Sequence, residues 1–384
     1  MFLKYIKKLF VIVLIVVSIV ILGGVGGVLI SAYIPNMTSI PALKDFGVFK
    51  KLTERVTIIN KTEQVVIRED DSVEKIASQP ATAVVNIVVS TDDTKVVKTE
   101  ATTMTGVLLT NDGLIATYSE IPFTGIGFRY EVLLFDGTSH RADFFGYDAF
   151  TNLLFLRLND GTNTPSIAFA NSDDARVGKK LIALGNSFAE YQNRLSVGIL
   201  RNINHTFSLS GKTVSSSEKL EGVFEVDFDV SKDFIGGSVI GFNGEMVGLI
   251  GALTIDNVTH IFLIPSNVVR ESLSRATEGT LSKRPMLGIY YLSLTKTLAL
   301  KMNVPRDHGA LIYSSSGKTG LALLADSSAM KAGLQVGDII ESMDGTEITP
   351  ENPLSLLLSR HNSGDAIDLL ILRGGEEKKV KVQL

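Results

Sequence analysis

The sequence predicts a mainly β protein carried behind an N-terminal transmembrane helix, and three observations predict it. A lysine-bearing start gives way to a long uncharged apolar run. From about residue 83, short runs rich in Val, Ile, Leu and Phe recur between Asn-Asp-Gly, Asp-Gly-Thr and Asn-Gly turns. A helix-period stretch and a Glu-Gly-Thr break then divide these runs from a second, glycine-punctuated region. At 384 residues the chain is long enough for two ordinary domains and extra segments.

Taken in order, residues 1–8 carry Lys4, Lys7 and Lys8 and are expected on the cytoplasmic side. Residues 9–34 contain no charge and exceed the roughly 20 residues that cross a bilayer as a helix. A cleaved signal peptide would have a shorter apolar core and a small-residue cleavage site, so the run reads as a single-pass signal anchor. A buried core helix is the competing reading, disfavoured by so many β-branched residues in one uninterrupted run. Residues 35–73 are polar and mixed in charge, as in Arg68-Glu69-Asp70-Asp71, and read as a juxtamembrane stalk with a strand or coil near Thr57 to Ile67. No function attaches to that stretch.

The strand-like runs are Ala83 to Val89, Val107 to Thr110, Glu131 to Phe135, Leu153 to Leu158, Lys180 to Leu184, Leu195 to Ile203, Gly222 to Asp227, Gly237 to Ile240 and Met246 to Ile250. Their spacing predicts an all-β barrel domain. Asn267 to Thr277 places Val268, Val269, Leu273 and Ala276 on one side of a helix, and Glu278-Gly279-Thr280 follows as a linker.

Composition excludes several function classes. Lys and Arg total 37 against 41 Asp and Glu, a net charge of -4, with no basic block in the soluble part, so nucleic-acid binding is unsupported. Without cysteine there is neither a disulfide framework nor a thiol nucleophile. His140, His205, His260, His308 and His361 are scattered, with no metal-ligand spacing, and no phosphate-cradling glycine loop carries a lysine. No cofactor or metal is expected.

Several segments carry a family resemblance in a fixed order. They are Thr105 to Thr117, Asp148 to Leu156, Leu184 to Phe188 followed by Ser196 to Leu200, Asp227 to Ser238, Gly244 to Ile250, and Phe262 to Val269. Together they resemble the landmarks of HtrA-type trypsin-like serine proteases, which implies a double β-barrel over residues 74–277. The resemblance also locates the three triad positions. Glu120 stands where the family has histidine, Asn152 where it has aspartate, and Ile235, before Gly236 and Gly237, where it has the serine. Isoleucine has no proton to lose and no lone pair to attack a carbonyl. Asp233 replaces the family's oxyanion-loop glycine, and a carboxylate there opposes a developing negative charge. The expectation is a chain that is not an enzyme, a pseudoprotease with a degenerate triad. One chemical alternative is a Glu120/Asp233 pair that faces across the cleft in the family and shares a proton to activate water. The bland reading of both is solvated surface charge.

Residues 283–384 resemble a protease-linked PDZ domain, a β-sandwich with two helices. The resemblance rests on Met286-Leu287-Gly288-Ile289 as a carboxylate-binding loop, on Ala325 to Ile340, and on the Asp344-Gly345 turn. Leu354 to His361 reads as the groove helix, with Leu357 and Leu358 as its apolar wall or as ordinary core. In such a site backbone N–H groups cradle a C-terminal carboxylate while the peptide adds as a strand. The implied function is PDZ-mediated binding of C-terminal peptides or unfolded segments, as adaptor or sensor in bacterial envelope protein quality control. The implied setting is the cytoplasmic membrane, with the bulk of the chain extracytoplasmic. A homotrimer, or a mixed assembly with an active relative, is what the family implies. A structural envelope protein that binds nothing is the remaining alternative.

Overall fold

The computed structural model describes residues 14–23, 69–91, 102–124, 127–186, 193–210, 214–229, 232–314, 316 and 322–384. The chain divides into two units, Met1–Val66 and Ile67–Leu384. In the first, residues 14–23 are helical and carry exposed apolar side chains such as Leu14, Val20 and Leu22. Among the described residues no helix is long and apolar enough to cross a membrane. The rest of the expected anchor, and the stalk as far as residue 68, lie outside the described residues. Helix α1 (Glu69–Ala81) spans the expected stalk–domain boundary at 73 and 74.

Two closed six-stranded barrels follow. The first is built from β1 (Val84–Thr91), β2 (Thr102–Leu108), β3 (Leu114–Tyr118), β4 (Phe128–Leu133), β5 (Ser139–Asp148) and β6 (Leu153–Leu158), in the order β1-β2-β3-β6-β5-β4. β1 alternates buried and half-buried positions with the two-residue period of a pleated strand, whereas β6 is a nearly continuous buried run. β5 was not among the expected strands. Its pattern mixes exposed, half-buried and buried positions and leaves no apolar run to read. The second barrel uses β7 (Lys180–Asn186), β8 (Asn193–Ser208), β10 (Glu221–Asp227), β11 (Ser238–Gly241), β12 (Met246–Ile255) and β13 (Val258–Pro265), in the order β10-β13-β12-β11-β7-β8.

Helix α2 (Ser266–Thr277) packs Val268, Val269 and Ala276 inward, with Leu273 partly buried against the same core, as its period predicts. The C-terminal domain contains β14 (Tyr290–Ser293), α3 (Lys296–Met302), β15 (Ala310–Ile312), α4 (Ser328–Lys331), β16 (Ile339–Met343), β17 (Thr346–Glu347), α5 (Leu354–Ser359), β18 (Ala366–Arg373) and β19 (Glu376–Gln383). Its sheet runs β19-β18-β16-β15-β14 and then accepts β9 (Ser215–Ser216), a two-residue strand that comes from the barrel domain.

Two arginines fasten the domains. Arg284, just past the linker, bonds both oxygens of the fully buried Asp148 at 3.2 and 2.5 Å and reaches Glu271 at 2.9 Å. Asp148 also accepts from the Ser272 hydroxyl at 2.6 Å, so its charge is paired and hydrogen-bonded. Arg275 of α2 bonds the carbonyls of Ser359 and His361 and the Asn362 side chain.

Candidate polypeptide-binding site

Glu120, Asn152 and Ile235, the positions expected from the resemblance to align with the triad, lie around one polar cluster and one apolar turn. Glu120 is exposed on the turn after β3. The neighbouring Ser119 N–H donates to the Asn152 carbonyl, tying the two loops together. Asn152 is 4% exposed and takes the left-handed backbone conformation (φ 60°), which asparagine tolerates better than most residues. Its amide nitrogen donates to Tyr118 at 3.2 Å. Its oxygen accepts from Tyr147 at 3.1 Å and from the Lys219 ammonium at 2.8 Å. Burial is the main cause that pushes the Tyr147 hydroxyl up to about 12, helped by the charges of Asp148 and Glu120. Burial also lowers Lys219, and Asp148 and Glu120 oppose that shift. Sequence reasoning missed Lys219, because a lone lysine after a serine run carries no signal.

Ile235 is half-buried and packs against the main core. A 3₁₀ turn at Lys232–Phe234 precedes it, and its N–H donates to the Lys232 carbonyl at 3.1 Å. That donor is therefore spent inside the turn rather than aimed at the cleft. The Thr105 hydroxyl donates to the Asp233 carbonyl, and the Asp233 carboxylate lies 3.5 Å from Arg194. Asp233 thus lies beside Arg194, while the charge of Glu120 acts on Lys219 and the neighbouring tyrosines. Ser238, behind the Gly236-Gly237 turn, is fully buried in β11.

The second candidate site is the loop ahead of β14. Gly288 has φ 79°, and a Cβ there would strike the Ser327 Cβ, so the glycine is required by space as well as by backbone conformation. Its N–H donates to the Glu218 carboxylate at 2.8 Å, and the Ile289 N–H donates to the Ser217 hydroxyl at 3.0 Å. Met286 is 61% exposed, whereas Leu287 and Ile289 point into the domain core. Leu357 and Leu358, expected as groove wall or core, are both buried in that core. Leu358 also lines a cavity of about 720 Å³ beside Ser217, Glu218 and Met286. Glu218, Ser217 and Glu221 were invisible to sequence reasoning, since only the fold brings them to this domain. Backbone donors around a carboxylate at a sheet edge make an arrangement able to hold extended polypeptide.

Comparison with known proteins assigns most of the two barrels and most of the C-terminal domain. A family described as trypsin-like peptidase domain matches residues 87–249, and one described as PDZ domain matches residues 304–384. The chain is 30% identical over 282 residues to a probable periplasmic serine protease, do/HhoA-like, of Haemophilus influenzae, a match covering 73% of this chain and 55% of that protein. It is 30% identical over 257 residues to the periplasmic serine endoprotease DegP of Escherichia coli, covering 66% and 51%. The serine protease Do-like HtrA of Bacillus subtilis is 30% identical over 264 residues, covering 66% and 57%. Among solved structures, the HtrA-type protease AlgW with tripeptide aligns with a TM-score of 0.63 and 22% identity, covering 80% of this chain and 95% of that one. The chain spans about half the length of the curated relatives it matches.

These findings correct one expectation. The substituted triad suggested that the chain is not an enzyme, yet the relatives are named serine proteases and endoproteases, and the family points to enzymatic activity.

Proposed function

We propose that this chain, whose described part is an HtrA/DegP-family trypsin-like protease domain joined to a PDZ domain, binds C-terminal peptides or unfolded polypeptide segments through the PDZ groove. It does so as an adaptor or sensor in protein quality control of the bacterial envelope. One observation carries the reading: the Gly288 and Ile289 N–H groups at the edge of β14 already hold a carboxylate and a hydroxyl. A peptide carboxylate is the same chemistry, and charge-assisted hydrogen bonds to backbone N–H groups are the strong kind. Relatives named as periplasmic proteases support an extracytoplasmic setting, and the apolar run at 9–34 supports a single-pass anchor with a cytoplasmic N-terminus. A homotrimer or a mixed assembly with an active relative follows from the family alone.

A second reading keeps hydrolysis, in line with the relatives' names, but carries it on carboxylates. Glu120 lies in the field of Lys219 and two tyrosines, a polar setting in which water could be polarised. Both readings are tested by incubating the chain with a reduced, carboxymethylated protein and following binding and cleavage together. The proposal expects saturable binding that Met286→Glu weakens, because a carboxylate beside the loop repels the incoming one. Absence of binding would overturn it. Cleavage by the parent that Glu120→Ala/Asp233→Ala abolishes would establish the carboxylate route.

A further inference from the structure

The edge of β14 is where an extended peptide would add as a strand, and in this chain the place is taken. Ser216 and Ser215 of β9 pair antiparallel with Tyr290 and Tyr291. The Ser217 N–H donates to the Ile289 carbonyl at 3.1 Å, and the Ser217 hydroxyl accepts from the Ile289 N–H at 3.0 Å. Next along the chain, Glu218 sets its carboxylate on the Gly288 N–H at 2.8 Å, and the Ser217 and Ser216 hydroxyls donate to it at 2.6 and 3.1 Å. The segment thus reproduces both halves of peptide recognition, a strand on the sheet edge and a carboxylate on the glycine loop. The cavity of about 720 Å³ alongside is walled by Phe144, Phe145, Phe150, Met286 and Leu358, an apolar space beside the carboxylate.

We infer that Ser215–Glu218 is a built-in pseudo-ligand of the PDZ groove, which an incoming peptide must displace by exchanging its own terminal carboxylate for that of Glu218 and seating its last, apolar side chain in the adjoining cavity. For its external ligand the inference rests on the binding reading above. For the self-docking it rests on the hydrogen bonds alone. Displacement reaches the barrel through the residues that follow. The Lys219 ammonium donates to the Ala149 carbonyl at 2.6 Å and to Asn152 at 2.8 Å, and the Leu220 N–H donates to the Phe150 carbonyl at 2.9 Å. The six-residue stretch Ser215–Leu220 therefore holds the PDZ groove at one end and the Asn152 loop at the other. Drawing Glu218 out of the groove pulls on the lysine that pins Asn152.

Occupancy by an internal segment lowers apparent affinity by the fraction of time the groove is free. The test uses the whole chain, Glu218→Ala and Ser217→Pro, the latter removing the Ser217 N–H and hydroxyl together. Amide hydrogen exchange is read at Gly288–Tyr291 and at Leu220. Anisotropy is read with a labelled pool of decapeptides ending in Val, Leu, Ile or Phe carboxylate. The inference expects exchange at Gly288 and Ile289 to be about tenfold or more faster in both variants, and the pool to bind them about tenfold tighter than the parent. Adding the pool to the parent should also speed exchange at Leu220. Unchanged exchange and unchanged affinity in the variants overturn the pseudo-ligand, while peptide binding by the parent would leave the functional reading standing. Faster exchange in the variants with no peptide bound by any protein upholds the self-docking and removes the functional reading.

Discussion

Gly236 shows how tightly the turn before β11 is specified. Its φ of 87° suits glycine, and a Cβ there would run into the Thr105 carbonyl and the Thr117 hydroxyl. Gly236→Ala should lose about 2 kcal/mol or more in chemical denaturation, since the strained backbone and the clash act together. A loss below the scatter of the measurement would mean that the turn relaxes freely. Glu221 offers a second test. It is 1% exposed, yet it accepts from Tyr291, Ser293 and Ser215, and burial raises its carboxyl above the usual range despite those bonds. A carboxyl raised in the fold is bound to its proton more tightly there than in the unfolded chain. It therefore favours the fold most below the unfolded value and loses that contribution as pH rises through the folded one. Stability should fall as pH climbs from the ordinary glutamate range toward neutrality, and Glu221→Gln should flatten that slope. An equal slope in both proteins would assign the dependence elsewhere.

The element that decides how the domains sit together is the junction after α2. Arg284 neutralises Asp148, whose carboxylate is otherwise fully enclosed. Arg284→Met leaves a buried charge without its cation, and about 3–5 kcal/mol of stability should go with it. Thermal unfolding followed in both domains checks this, and a shift within error would show that water reaches Asp148. Elements of this kind also mark what the sequence could tell. β1, β6 and β12 were legible because local apolar runs and turn residues carry their own signal, and α2 because its period is helical. β5 was not legible, as its inward positions are interrupted by polar outward ones. β9 could not be read at all. Two serines become a strand only because β14 of another domain offers them an edge.

At the scale of the barrels and the PDZ domain, several of the contacts that join them are linked through one set of neighbouring residues. The Asn152 loop, the Glu218–Lys219 segment and the Arg284 junction converge there. An event in the PDZ groove is therefore mechanically next to the Asn152 loop of the first barrel. Losing the lysine anchor should weaken that link without touching the groove. Lys219→Met is expected to leave peptide affinity within about twofold of the parent while raising exchange at Ser119 and Asn152, since it removes the ammonium's bonds to Ala149 and Asn152 and keeps the groove contacts of Ser215–Glu218. No change at those amides would place the coupling outside Lys219.

The measurement closest to the central claim is an anisotropy titration of the whole chain with one pool of apolar-ended decapeptides, prepared once as free acids and once as C-terminal amides. The account predicts that the free acids bind at least about tenfold more tightly, the worth of one charge-assisted bond to the Gly288 loop. Equal affinity for acids and amides would contradict recognition of a terminal carboxylate, and binding of neither would contradict the polypeptide-binding function itself.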